Sequence, residues 1–156
     1  MIIRKILMLD VDGVLNNHAI LRAQPTNGVF VELGDDLLAL LKRIVDHTKC
    51  EIVLSSTWRL SKDNTMKLRR AFHKIGIDHK FRVTPNLNAH KRRFEIEQWI
   101  RDNLFEKAAI VVVLDDDRSA EIQEEFPNVI TQFVGTNAYE GLTERAFNEV
   151  IAAFGG

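Results

Sequence analysis

Two stretches of the chain are apolar without alternation: Ile3 to Leu9, broken only by Arg4-Lys5, and Ala108 to Leu114. Such runs predict strands buried on both faces, as in a parallel sheet covered by helices on each side. Glu51-Ile52-Val53-Leu54 predicts a third strand and Val129 to Val134 another. Between the first strand and Glu51, Leu37, Leu40, Leu41, Ile44 and Val45 recur at helical spacing, with Gly34-Asp35 as the start. Met66, Ala71, Phe72 and Ile75 predict a helix ending near Gly76, and Ile96, Trp99, Ile100 and Leu104 one before Ala108. A short helix is expected over Glu121 to Phe126. An amphipathic one carries Ala146, Phe147, Val150, Ile151 and Phe154 and is capped by Thr143. Alternating strands and helices give an α/β fold, a three-layer sandwich with a mainly parallel sheet, in one domain spanning residues 1–156. The least regular segment, Asn16 to Phe30, has turn signals at Pro25 and Asn27-Gly28 and reads as a flap beside the site.

Acids follow two of the buried runs at once. Asp10-Val11-Asp12-Gly13 succeeds the first and Asp115-Asp116-Asp117 the run ending at Leu114. Asp and Gly also favour plain solvated turns. Acids at the end of a buried strand cost free energy, however, unless they reach solvent or hold a metal. In open α/β sheets ligands bind beyond the carboxyl ends of the strands, where both clusters fall.

The composition narrows the setting. A chain of 156 residues buries enough surface to fold without a disulfide or metal staple. The single cysteine, Cys50, reads as a packing residue and suits a reducing compartment. The N-terminal apolar stretch is too short to span a membrane and lacks a cleavage pattern, so a cytoplasmic location with no membrane partner is expected. Net charge is −1, but Ser61 to Arg93 holds ten Lys or Arg against Asp63 and Asp78, a local +8. That segment is either a track for an anionic substrate or the solvated face of a helix.

Four groups end or follow strands: Asp10 with Asp12, Ser55-Ser56-Thr57, the basic run Lys91-Arg92-Arg93 opening a helix, and Asp115-Asp116. They supply a carboxylate nucleophile, a second carboxylate to give and take a proton, a hydroxyl, a cation and a magnesium site, which is the equipment of phosphoryl transfer. Mg²⁺ takes oxygen ligands and keeps several waters, so carboxylates, a backbone carbonyl and a substrate phosphate oxygen suffice. His18, His47, His73, His79 and His90 share no ligand spacing, and no zinc site is expected.

The ordered set Asp10-x-Asp12-Gly13, Leu54-Ser55-Ser56, a basic residue at a helix start and Leu114-Asp115-Asp116 resembles the four motifs of haloacid dehalogenase (HAD) superfamily phosphatases. Val53-Leu54-Ser55-Ser56-Thr57-Trp58-Arg59, Arg92-x-x-Glu95-Ile96-x-x-Trp99-Ile100 and Gly141-Leu142-Thr143 look more narrowly like the small HAD domains of Swiss Army Knife RNA repair proteins. The resemblance implies a Rossmann-like fold and a phosphatase working through an aspartyl-phosphate on Asp10. It implies Asp12 as acid and base, Ser55 as a phosphoryl hydrogen-bond donor and Arg92 as the cation. Asp10, the backbone carbonyl of Asp12, Asp115 and Asp116 would hold Mg²⁺.

The superfamily's third-motif cation is usually Lys. Here Lys91, Arg92 and Arg93 compete; spacing from Glu95-Ile96 favours Arg92, and Lys91 is the alternative. Asp117 is a further ligand, a loop residue or, preferably, the cap of a helix starting near Ser119. Ser56 and Lys91 are expected at the substrate. Trp58 either stacks on a base or anchors the flap, and Arg59 would meet a phosphate. Trp99 belongs to the core.

The intervals between motifs are mostly used by helices, leaving no room for a separate cap domain of about 50 residues. An open site suits a bulky phosphomonoester such as a nucleic-acid end, and a small nucleotide fits where a short flap or an oligomer partner closes the cleft. The alternative is a catalytically inactive phosphate- or nucleic-acid-binding module. A receiver domain fails on motif order, because there the cation ends the series. A calcium loop fails because Gly13 comes too early after Asp10.

Overall fold

The computed structural model describes residues 2–23, 32–77, 80–88 and 91–156. Five strands, β1 (Arg4–Leu9), β2 (Glu51–Leu54), β3 (Arg82–Val83), β4 (Ala109–Asp115) and β5 (Val129–Gly135), form one sheet in the order β3-β2-β1-β4-β5. All four pairings are parallel. The chain is therefore a Rossmann-type α/β sandwich, and β1 lies at its switch point: strands added before β4 go to one side of β1 and later strands to the other.

Alternation along β1 divides the core. Leu7 and Leu9 face a cluster built by α2 (Asp35–Thr48), α3 (Lys62–Lys74) and α5 (Glu144–Ala153), including Leu41, Ile44, Leu68, Phe72 and Val150. Ile6 and Met8 face the opposite cluster, where α4 (Arg92–Asn103) contributes Ile96, Trp99 and Ile100. Both faces of the central strands are thereby dry, which explains why their sequences do not alternate. Cys50 sits in the first cluster, and burial raises its thiol pKa. Among the described residues no separate lid domain is inserted, and no helix is long and apolar enough to cross a membrane.

Local signals account for the element ends. Thr143 caps α5 by accepting from Ala146 N–H, and α2 starts after Gly34. α3 ends at Lys74, followed by Gly76 at φ +84°.

Glu121 to Phe126 does not form the expected helix. A 3-10 turn, Arg118–Ala120, ends there instead, and the N–H groups of Gln123 and Glu124 both donate to Glu97 Oε2 at 2.9 Å. A buried carboxylate from α4 takes donors that a helix would otherwise need to arrange for itself. Two short elements also lie where the sequence carries little signal: α1 (His18–Arg22), within the expected flap, and a 3-10 turn over Thr57–Leu60. Pro25 and Asn27-Gly28 lie outside the described residues, as do Asp78, His79 and His90.

Candidate active site

Register alone brings the first residues of the site together. Leu9 pairs with Leu54 on one side and Leu114 on the other. Asp10, Ser55 and Asp115 thus leave the sheet side by side. Asp10 N–H donates to Leu114 O and Ser55 N–H to Leu9 O. Asp10 and Asp115 are buried, at 3% and 0% exposure, whereas Asp116 is open to solvent. One carboxylate oxygen from each of the three lies within 4.8 Å of the others.

Arg92, the first residue of α4, reaches this group from the helical layer. Its Nη1 lies 2.7 Å from Asp115 Oδ2 and 3.2 Å from Asp10 Oδ1. Burial alone would lower the Arg92 pKa, but Asp10 and Asp115 outweigh it and hold the guanidinium charged. One guanidinium does not satisfy three acids. Burial, and next the charge of Asp115, push the Asp10 carboxyl up to about 8; burial also raises Asp115.

Gly13 makes room for the third acid. Its φ is +79°, and a Cβ there would meet Asp116 Oδ2 at 2.3 Å. The Gly13 carbonyl accepts from Thr136 Oγ1, which fixes the turn against the end of β5.

Asp12 stands at the mouth, exposed, with Oδ1 accepting from Trp58 Nε1 at 3.1 Å and from Asn16 Nδ2 at 2.9 Å. Ser55 Oγ is fully buried and has no hydrogen-bond partner among the described residues. A buried hydroxyl left so at a strand end is short of a hydrogen-bond partner.

With this geometry the comparison with known families is informative. The family described as the HAD domain in Swiss Army Knife RNA repair proteins matches residues 6–147, from β1 into α5. The chain belongs to this family. No curated protein and no solved structure matches significantly.

In this HAD domain several residues expected at the substrate are engaged elsewhere. Arg59 is one: its side chain is 3% exposed, Nη2 lies 2.8 Å from Glu95 Oε2, and the guanidinium donates to the carbonyls of Thr84, Ser55, Ser56 and Pro85. Every face of the fork is occupied, so it joins loops and does not await a phosphate. Ser56 Oγ accepts from Trp58 N–H and caps the Thr57–Leu60 turn. Trp58 is 6% exposed and offers no open ring face for a base to stack on; it packs in the core and grips Asp12. It also lines a hollow of about 380 Å³ with Glu32, Leu33 and Lys67.

Of the three competing cations, Arg92 alone touches the acids. Lys91 is exposed at the N-cap of α4, and Arg93 lies over the Phe94 ring, 3.8 Å from Glu97. Asp117 accepts from Ser119 N–H and caps the Arg118–Ala120 turn, which lowers its pKa. Asn16 is not singled out from sequence, its only signal being an Asn four residues after Asp12. Glu95 enters there as a motif residue that places Arg92, and its pairing with Arg59 is visible only in the fold.

Proposed function

We propose that this HAD domain is a Mg²⁺-dependent phosphomonoesterase that acts through an aspartyl-phosphate, with nucleotides or nucleic-acid ends as substrates. The observation that carries this reading is the convergence of Asp10, Asp115 and Asp116 at the rim of the sheet, with Arg92 paired to Asp10 and Asp115. The donor set is all oxygen, and three carboxylates beside one guanidinium leave room for a divalent cation, which fits Mg²⁺. Asp10, Asp115 and Asp116, with the Asp12 carbonyl, would hold it. When bound, the ion neutralises phosphate charge that would otherwise repel the nucleophile.

The chain's own groups then divide the work. Asp10 attacks phosphorus as the bond to the leaving oxygen breaks, and Asp12 gives that oxygen its proton. Asp12 next takes a proton from water, whose oxygen attacks phosphorus and releases Asp10. Ser55 donates to a phosphoryl oxygen. Arg92, at a helix N-terminus, stabilises charge on the transferring group.

Two features favour a bulky leaving group. Trp58 donates to Asp12, the residue that would protonate the leaving oxygen, and also lines the hollow. Next to it, α3 presents exposed Lys62, Lys67, Arg69, Arg70 and Lys74, a surface able to follow a phosphate backbone.

Hydrolysis of an aryl phosphate that needs Mg²⁺ and vanishes with chelation or Asp10→Asn is the expected result. Metal-replete protein inert toward aryl phosphates, nucleotides and phosphorylated oligonucleotides would instead indicate a binding module. Comparing nucleoside monophosphates with 3′- and 5′-phosphorylated DNA and RNA then identifies the substrate, and salt should inhibit turnover of the oligonucleotides most.

A further inference from the structure

We propose that Trp58 and Asn16 are positioning residues that commit Asp12 Oδ1 to hydrogen bonding, so that Oδ2 alone exchanges the proton with the leaving group and with water. This rests on the phosphatase reading above and assigns roles within the same site.

The inference starts from what an exposed aspartate lacks. A short acid at the mouth of a cleft samples several rotamers, and proton delivery needs one of them. Here two donors meet on a single oxygen, and each is itself held. Trp58 is buried; its backbone N–H donates to Ser56 Oγ, and its carbonyl accepts from Ser61 N–H and Thr65 Oγ1. Asn16 is 1% exposed; its Oδ1 accepts from Gly13 N–H, and its Nδ2 also donates to the carbonyl of Glu32.

The chemistry of the donors fixes the choice of oxygen. An indole N–H and an amide NH₂ donate and cannot accept. A proton on Oδ1 would point at donors, so the neutral acid must carry it on Oδ2. In the forward step the Oδ2–H bond breaks and the proton passes to the leaving oxygen as its bond to phosphorus breaks. In the second step Oδ2 takes a proton from the attacking water, restoring the acid. The two N–H groups remain on Oδ1 throughout, so no reorganisation is needed between steps.

Trp58→Phe removes the donor and keeps an aromatic ring in the core. With Mg²⁺ present, its loss in kcat/KM should be at least about tenfold larger for an alkyl phosphate, which leaves badly without a proton, than for p-nitrophenyl phosphate, which leaves well. Equal losses on both, or none on either, overturn the proposal, since a merely structural role does not distinguish leaving groups.

A second measurement needs no turnover. The chain has two tryptophans, Trp58 and Trp99. In ¹H–¹⁵N spectra of the full chain, Asp12→Ala should shift the Trp58 indole N–H and speed its exchange while leaving Trp99 in place. An unmoved Trp58 resonance overturns the assignment even if the wild type is an active phosphatase. A wild type inert on both substrates while the resonance shifts refutes the phosphatase reading, and with it the proton-transfer role; the hydrogen bond alone would stand.

Discussion

Replacing Arg59 by Met should be the most damaging single change outside the acids. The side chains of Arg59 and Glu95 are 3% and 9% exposed, with 2.8 Å between Nη2 and Oε2. Without the guanidinium, Glu95 retains, among the described residues, only the Leu87 N–H, at 2.9 Å, in a buried setting. Removing one partner of such a pair costs about 3–5 kcal/mol, because the other charge stays buried. Four carbonyls, of Ser55, Ser56, Thr84 and Pro85, lose a donor as well. With a urea slope of about 2 kcal/mol/M, the unfolding midpoint followed by circular dichroism should fall by roughly 1.5–2.5 M. Arg4→Met provides the contrast. Arg4 makes two contacts to Glu51, at 2.9 and 2.8 Å, but with the side chains 24% and 44% exposed solvent screens them, and the loss should stay below about 1 kcal/mol. Adding Glu95→Leu to Arg59→Met should recover part of the loss, since the stranded charge goes with it. A cost for Arg59→Met below about 1 kcal/mol, or a double variant as weak as the sum of the singles, would refute this account.

Gly13→Ala should abolish Mg²⁺ binding measured by calorimetry, because the added methyl takes the place of Asp116 Oδ2 and the backbone is held at positive φ, a strain of about 1–3 kcal/mol. In EDTA, stability should decline as pH rises from about 4 to about 8: the folded state keeps a proton on the Asp10 and Asp115 pair that the unfolded chain has already lost. Apparent Mg²⁺ affinity should rise over the same window, as less proton must be displaced; thermal melts with and without Mg²⁺ across that range check both, and a flat metal-free profile would contradict them. Asp117→Ala should cost about 0.5–2 kcal/mol through loss of the cap to Ser119 N–H, with hydrolysis and its Mg²⁺ requirement unchanged; a large rise in the Mg²⁺ concentration needed would place Asp117 among the ligands.

The strands were legible because burial on both faces writes an unbroken apolar run, and the strand-end acids because nothing in a covered sheet otherwise favours them. Parallel register did the rest, since pairing Leu9 with both Leu54 and Leu114 leaves Asp10, Ser55 and Asp115 no choice of neighbours. β3 has two residues, both exposed, and is too short to write any period. Glu121 to Phe126 misled because its apolar spacing is helical, while the competitor for its N–H groups, Glu97, is more than twenty residues away. Arg59 misled for the same reason. A basic residue beside a phosphate motif suggests an anion contact, and only tertiary structure reveals that Glu95 and four carbonyls already claim it.

Trp58 and Arg59, adjacent in one 3-10 turn, point to different parts of the site. Trp58 holds Asp12, in the loop after β1, and Arg59 holds Glu95, one turn along α4 from Arg92. Arg59 also gathers the carbonyls of Ser55 and Ser56 and of the segment after β3. The loop after β1, the Ser55-Ser56 segment and the start of α4 are therefore tied through two consecutive side chains, and strand register supplies the remaining constraint. This bears on how the proposed phosphatase site would be held. Among the described residues no lid covers it, so preorganisation would rest on its first layer being locked by the layer behind it. Arg59 and Glu95 form that rear layer. They touch none of the three acids, yet they fix the helix start from which Arg92 reaches them. Their removal should therefore loosen Arg92 against Asp10 and Asp115 even in variants that remain folded.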